Sequence, residues 1–277
     1  MNKIKKCKKC KLVNVFHAPV YKGQNHLGTE KAPRFTVESL PMLHGDNTQH
    51  YHPDEKQVPL LPPREFKDLS LDKQCKEIYD LILENRPKRA IKKFGKTYRN
   101  RLAAQQPIKN IILGGDHSIA IGSIGAFLAM YPELSVIWID AHADINTTST
   151  TPSGNVHGQP VSYLMNLPIA RRPSEYDWLG TATLNPDNLL YIGLRDLEEY
   201  EWDTIHNLGI QYITPNEING LYEPNTGWQA QINDFIMNAK SKVHISFDID
   251  VMTPEGGLNT GTPVADGITE KQLIHIC

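Results

Sequence analysis

Three short apolar runs in this chain each end in acids or histidines, and that pattern limits the fold more than any other feature. Ser135-Val-Ile-Trp-Ile139 runs into Asp140, His142 and Asp144. Val243-His-Ile-Ser-Phe247 runs into Asp248 and Asp250, and Asn110-Ile-Ile-Leu113 passes through two glycines to Asp116 and His117. Runs this short and apolar read as strands of a parallel sheet covered on both faces, the first two of them buried. Alternate residues of a strand share a face, so a strand continued through Asp144 would bring Asp140, His142 and Asp144 together. Carboxylates crowded beside apolar strands repel one another unless a cation neutralises them. A single D-x-H-x-D run could instead hold acids that cap the next turn. Its repetition at further strand ends favours metal, because sites in open α/β sheets form beyond the carboxyl ends of the strands. Six candidate ligands result: His117, Asp140, His142, Asp144, Asp248 and Asp250. They are too many for one catalytic zinc and suit two harder cations, about 3.5–4 Å apart in two-metal hydrolytic sites.

The intervening segments alternate in period. Helical patterns run from Ser70 to Asn85, from Ser118 to Tyr131 and from Gln229 to Lys240, with Pro87 and Pro132 as stops. Further strands are expected at Leu12–Phe16, Asn188–Gly193 and Ile210–Thr214. Alternating strands and helices imply a fold of the α/β class: a three-layer α/β/α architecture with a mostly parallel sheet and right-handed crossovers. No linker divides residues 1–277, and one domain is expected.

Composition narrows the partners. A net charge of −2 gives no pull toward nucleic acid or anionic lipid. No apolar run reaches the ~20 residues that span a bilayer. Four cysteines in 277 residues make no disulfide framework. A cytoplasmic protein with neither nucleic acid nor membrane as partner is the expectation. The lysine-rich start around Cys7 and Cys10 reads as a solvated tail, and His44, His50 and His52 read as surface residues of a Pro-rich stretch.

These motifs also carry a resemblance. Gly114-Gly-Asp-His-Ser118, Asp140-Ala-His-Ala-Asp-Ile-Asn146 and Ser246-Phe-Asp-Ile-Asp-Val-Met-Thr-Pro254 resemble the three signatures of the ureohydrolases. Ser153-Gly-Asn-Val-His-Gly-Gln-Pro160, Ala18-Pro-Val-Tyr-Lys-Gly-Gln24 and Gly193-Leu-Arg-Asp196 are similar to arginases in particular. The resemblance runs from about Val13 to the last residue. It implies two Mn²⁺ ions per subunit, bridged by Asp140 and Asp248, with His117 and Asp144 on one and His142 and Asp250 on the other. It implies hydrolysis of L-arginine to L-ornithine and urea by a metal-bridging hydroxide, with Asp144 and His157 carrying protons. A histidine titrates near neutrality, which suits that task. The same resemblance assigns the substrate α-carboxylate to Asn146, Ser153 and Asn155, the α-amino group to Glu198, a second acidic substrate-binding position to Glu201, and the guanidinium pocket to Thr262. Read by position alone, the two glutamates could simply be acids at a helix start.

Two departures accompany the likeness. Glu198 stands where arginases usually carry aspartate. The chain also stops in the helix Lys271–Cys277, before a strand that bears a guanidinium-pairing glutamate in arginases. The expectation is therefore a C-terminally incomplete domain, its possible homotrimer weakened. An agmatinase-type ureohydrolase and a catalytically impaired metal-binding paralogue stay open as alternatives.

Overall fold

The computed structural model describes residues 12–20, 22–24, 66, 68–84, 108–167, 171–220, 227–255 and 260–276. Cys7, Cys10, His44, His50 and His52 lie outside them. Strands and helices follow one another as β1 (Leu12–Ala18), α1 (Leu71–Glu84), β2 (Ile108–Gly114), α2 (Ile119–Met130), β3 (Ser135–Ile139), α3 (Pro160–Met165) and β4 (Leu189–Ile192). Then come α4 (Glu199–Leu208), β5 (Gln211–Ile213), α5 (Pro215–Asn219), α6 (Gly227–Met237), β6 (Val243–Phe247) and α7 (Glu270–Ile276).

The layering follows from two strands buried on both faces. All five residues of β3 and all four of β4 are buried. Val136, Trp138, Leu189 and Tyr191 enter one core with residues of α1, α2, α3 and α4. Ile137, Ile139, Leu190 and Ile192 enter the other with Ile218 of α5 and Trp228, Ile232 and Phe235 of α6. Side chains that alternate between two cores require helices on both sides, and the expected three-layer α/β/α fold is what forms. Helix α2 is buried along Ile119–Leu128 and packs on α1. Gly122 makes that approach possible, since a Cβ there would stand 2.2 Å from the Cys75 carbonyl oxygen. No helix of the described residues is long and apolar enough to cross a membrane.

Two expectations change. All pairings are parallel, but among the described residues they form two sheets: β1-β2, and β5-β4-β3-β6. The strand–helix–strand run through α2 therefore passes from one sheet to the other rather than joining neighbours. The second correction concerns β6, expected to be buried. Val243, Ile245 and Phe247 are exposed, Ile245 by 54%. The reason is position: β6 pairs with β3 and has no described partner on its other side.

Candidate metal centre and substrate pocket

The acids converge, though not by strand alternation. β3 ends at Ile139, and the following residues turn beyond the strand tip. Asp144 has φ 50°, the left-handed region that Asp tolerates better than most residues. Each tip is fixed by backbone bonds that extend the sheet. The Asp140 amide donates to Ile192 O (3.0 Å), and the Asp248 amide to Ile139 O (2.9 Å). Asp250 lies in a 3₁₀ turn, Ile249–Val251. Its amide donates to Asp248 Oδ1 (3.0 Å), and its own Oδ1 accepts the Ala141 amide (3.2 Å). Trp138 Nε1 donates to Asp140 Oδ2 (3.0 Å), and the His142 amide donates to Oδ1 of the same carboxylate (2.8 Å).

The result is two adjoining groups of ligand atoms. His117, Asp140 and Asp248 form one; Asp140, His142 and Asp250 form the other, and within each group the atoms lie within 4.8 Å of one another. His117 Nδ1 stands 2.9 Å from Asp140 Oδ2, 3.1 Å from Asp144 Oδ2 and 3.5 Å from Asp248 Oδ2. That nitrogen is buried and makes no hydrogen bond, while Nε2 is paired with Ser246 Oγ at 2.8 Å. The ring also stacks on Trp138, centroids 4.1 Å apart. His142 Nδ1 lies 3.1 Å from Asp250 Oδ2 and 3.5 Å from Asp140 Oδ1.

The electrostatics describe a cluster short of positive charge. Burial and the Asp140 and Asp250 charges push Asp248 up to about 8. Burial and the Asp140 charge push Asp144 up to about 6. Burial pulls His142 down, but the carboxylates of Asp140 and Asp250 outweigh it and raise the imidazole to about 12. His117 is raised against its own burial by Asp140 and Asp144. Burial pushes the Asp140 carboxyl upward, yet the two imidazoles hold it well below the usual carboxylate range. Four carboxylates and two imidazoles, in two ligand groups that share Asp140, suit two divalent cations in their chemistry.

A cavity of about 340 Å³ opens over this cluster. All six ligand candidates line it, as do Asn146, Ser153, Asn155, His157, Glu198, Glu201 and Thr262, so every candidate site residue meets in one place. Asn146 bridges two walls: Nδ2 donates to Glu198 Oε2 and Oδ1 accepts from Thr150 Oγ1, both at 2.9 Å. Glu198 and Glu201 also cap α4 reciprocally, so the positional reading as helix-start acids holds as well. Glu201 is buried, with Oε1 on the Ile145 amide and Oε2 on the Glu198 amide, both 3.2 Å. Burial, with the neighbouring Glu198, pushes Glu201 up to about 9, while its hydrogen bond holds Glu198 below the usual range. The charge thus sits on Glu198, the more open of the two. His157 is lowered by burial and stands neutral at pH 7, its amide donating to Gly23 O (3.0 Å). Thr262 Oγ1 donates to Asp250 Oδ2 (3.0 Å).

Some contributors stand in stretches that the sequence marks without a role of their own. Thr151 lines the cavity, and Asp196 does too, 3.4 Å from His142 Nε2. Asp116, buried beside His117, accepts the Gly23 amide (2.8 Å) and the Ser118 amide (3.0 Å), tying the β1 loop to the β2 tip. The motif Gly114–Ser118 marks the neighbourhood of Asp116 but not this use.

A parallel α/β/α fold with such ligand groups and a polar cavity beyond the strand tips has the layout of a metal-dependent hydrolase with a candidate binuclear centre, and its relatives make it a hydrolase of the ureohydrolase type. The Arginase family model matches residues 11–277. The chain is 33% identical over 272 residues to Arginase-1 of Xenopus laevis, covering 95% of this chain and 80% of that protein. Against Arginase-1 of Homo sapiens it is likewise 33% identical over 272 residues, covering 97% and 80%. The crystal structure of arginase from Bacillus subtilis matches with a TM-score of 0.72 at 27% identity, covering 95% of this chain and 83% of that one. Entamoeba histolytica arginase, solved in complex with L-ornithine, matches with a TM-score of 0.66 at 26% identity, covering 97% and 86%. The chain belongs to the arginase family.

Proposed function

We propose that this chain hydrolyses L-arginine to L-ornithine and urea, with two Mn²⁺ ions held beyond the tips of β2, β3 and β6. The observation that carries the reading is the sharing of Asp140 between the two ligand groups. One ion would be held by His117, Asp140, Asp144 and Asp248, the other by Asp140, His142, Asp248 and Asp250. When bound, such ions lower the pKa of water and polarise the group under attack.

The chain's own residues do the rest. Asn146, Ser153 and Asn155 hold the α-carboxylate of the substrate through amide and hydroxyl donors. Glu198, charged at neutral pH, accepts from the α-ammonium. Its extra methylene relative to aspartate lengthens that reach, and Glu201 keeps it in place from below. Thr262 meets the guanidinium end. Asp144 takes the remaining proton from the oxygen that has added to the guanidinium carbon and delivers it to the departing amine as the C–N bond breaks, so that ornithine leaves neutral at that nitrogen. His157, neutral by burial, passes protons between the cavity and solvent. Because the cavity draws on residues from His117 to Thr262, we take the chain as one ureohydrolase domain. The L-ornithine complex of the Entamoeba histolytica relative supports the choice of substrate.

The test is urea release from L-arginine and from agmatine by the Mn²⁺-loaded chain. Arginine turnover well above agmatine turnover is expected. Preference for agmatine would move the assignment to an agmatinase-type activity, and two bound ions with urea from neither substrate would overturn catalysis.

A further inference from the structure

Five backbone carbonyl oxygens converge on one guanidinium outside the ligand set. Arg195 donates from Nε to Ala265 O (2.7 Å) and from Nη1 to Gly193 O (3.2 Å). From Nη2 it donates to Asp250 O (2.7 Å) and Val264 O (2.9 Å), with Met252 O at 3.3 Å. The group is half-buried, and burial lowers its pKa somewhat, but an arginine stays charged at any working pH. Three stretches distant in sequence are thereby tied to one rigid plane: the end of β4, the 3₁₀ turn after β6, and residues 264–265.

Those stretches adjoin one half of the centre. Asp250 reaches His142 Nδ1 through Oδ2 at 3.1 Å, and the same oxygen accepts from Thr262 Oγ1. The main chain of Arg195 works in the same direction. Its amide donates to Ala141 O (3.0 Å), the residue between Asp140 and His142, and Ala141 in turn donates to Asp250 Oδ1 (3.2 Å). The His117 half is held differently, by Ser246 and Trp138, and has no bond to Arg195. Resting on the two-ion reading above, we infer that Arg195 is a positioning residue for the Asp250–His142 half of the centre and for the neighbouring Thr262 segment. A lysine cannot replace it, because three donors on a flexible stem do not reproduce a planar fork aimed at five carbonyls.

The test is a Mn²⁺ titration of the metal-free chain and of Arg195→Lys, following free Mn²⁺ by its electron paramagnetic resonance signal, with thermal melts in parallel. The parent is expected to take two equivalents. In the variant one equivalent should weaken by on the order of tenfold or more, the usual effect of removing a group that orients a ligand, while the other holds. Two equivalents bound as tightly as in the parent, or both weakened alike, would overturn the inference. A parent that takes fewer than two would instead overturn the reading it rests on. If Arg195→Lys has no cooperative melt, Thr262→Val decides: one equivalent weakened severalfold supports the inference, and an unchanged isotherm defeats it.

Discussion

Strands β3 and β6 are neighbours in register, five residues each, and both deliver two carboxylates to the same cavity. Their surroundings differ sharply. β3 lies between two cores, whereas β6 leaves Val243, Ile245 and Phe247 exposed on the side where β3 packs Ile137 and Ile139. Yet Asp248 and Asp250 are as firmly directed as Asp140. The polar side of β6 explains this: Ser246 meets His117, the Asp248 amide continues the β3 ladder, and the 3₁₀ turn is closed by Asp248 itself. A ligand strand can thus be aimed by burial or by backbone bonding at its tip, and this site uses both.

The largest effect expected is at the shared ligand. Asp140→Asn should lose both equivalents of Mn²⁺ and reduce urea release by about a thousandfold or more, roughly 4 kcal/mol of barrier. Asp250→Asn should keep one equivalent in the same titration. Equal losses would mean that Asp140 is not common to both ions.

Stability should divide the strands next. Ile139→Ala removes fully buried atoms and is expected to cost about 2–5 kcal/mol in a denaturant melt. Phe247→Ala, on the exposed row, should cost less than about 1 kcal/mol and leave the Mn²⁺ isotherm alone. A large cost at Phe247 would show that the outer row of β6 is covered in solution.

The third comparison uses pH. Asp144, Asp248 and His142 all have raised values, about 6, 8 and 12, so below those values they hold protons that a cation must displace. Affinity for Mn²⁺ should rise between pH 6 and pH 8, at most about tenfold per unit for each proton released. Calorimetry in buffers of different ionisation enthalpy counts those protons. An affinity flat across that window would contradict the protonated cluster.

The smallest effect is at Ser246. Ser246→Ala leaves His117 Nε2 without its partner and should weaken one equivalent by about tenfold, with little change in the melt. No weakening would leave Trp138 stacking as sufficient to orient His117.

Much of the centre was legible because its chemistry repeats. Acids at three strand ends announce a shared purpose whichever way each strand is tilted, and the resemblance then named the cavity residues one by one. The route of convergence was not legible. Asp140, His142 and Asp144 have strand spacing, but β3 stops at Ile139 and a turn does the work. The edge position of β6 was hidden as well, since Val-His-Ile-Ser-Phe is almost as apolar as Ser-Val-Ile-Trp-Ile, and which strand lacks a neighbour is decided by pairing elsewhere. The use of Arg195 was hidden for a third reason: the motif Gly193–Asp196 contains it, but its five acceptors are main-chain oxygens, which every residue owns and no side-chain pattern reveals.

The turn at Asp144 restricts what can ever stand there. Its left-handed backbone admits few residue types, chiefly glycine, asparagine and aspartate. Asparagine alone among the alternatives keeps the outline of the side chain while removing its charge. This position therefore behaves as a near-binary choice open to evolution or an engineer: the charge can be erased with the turn intact, whereas a glutamate, lengthening the reach by one carbon, would have to bend the main chain first.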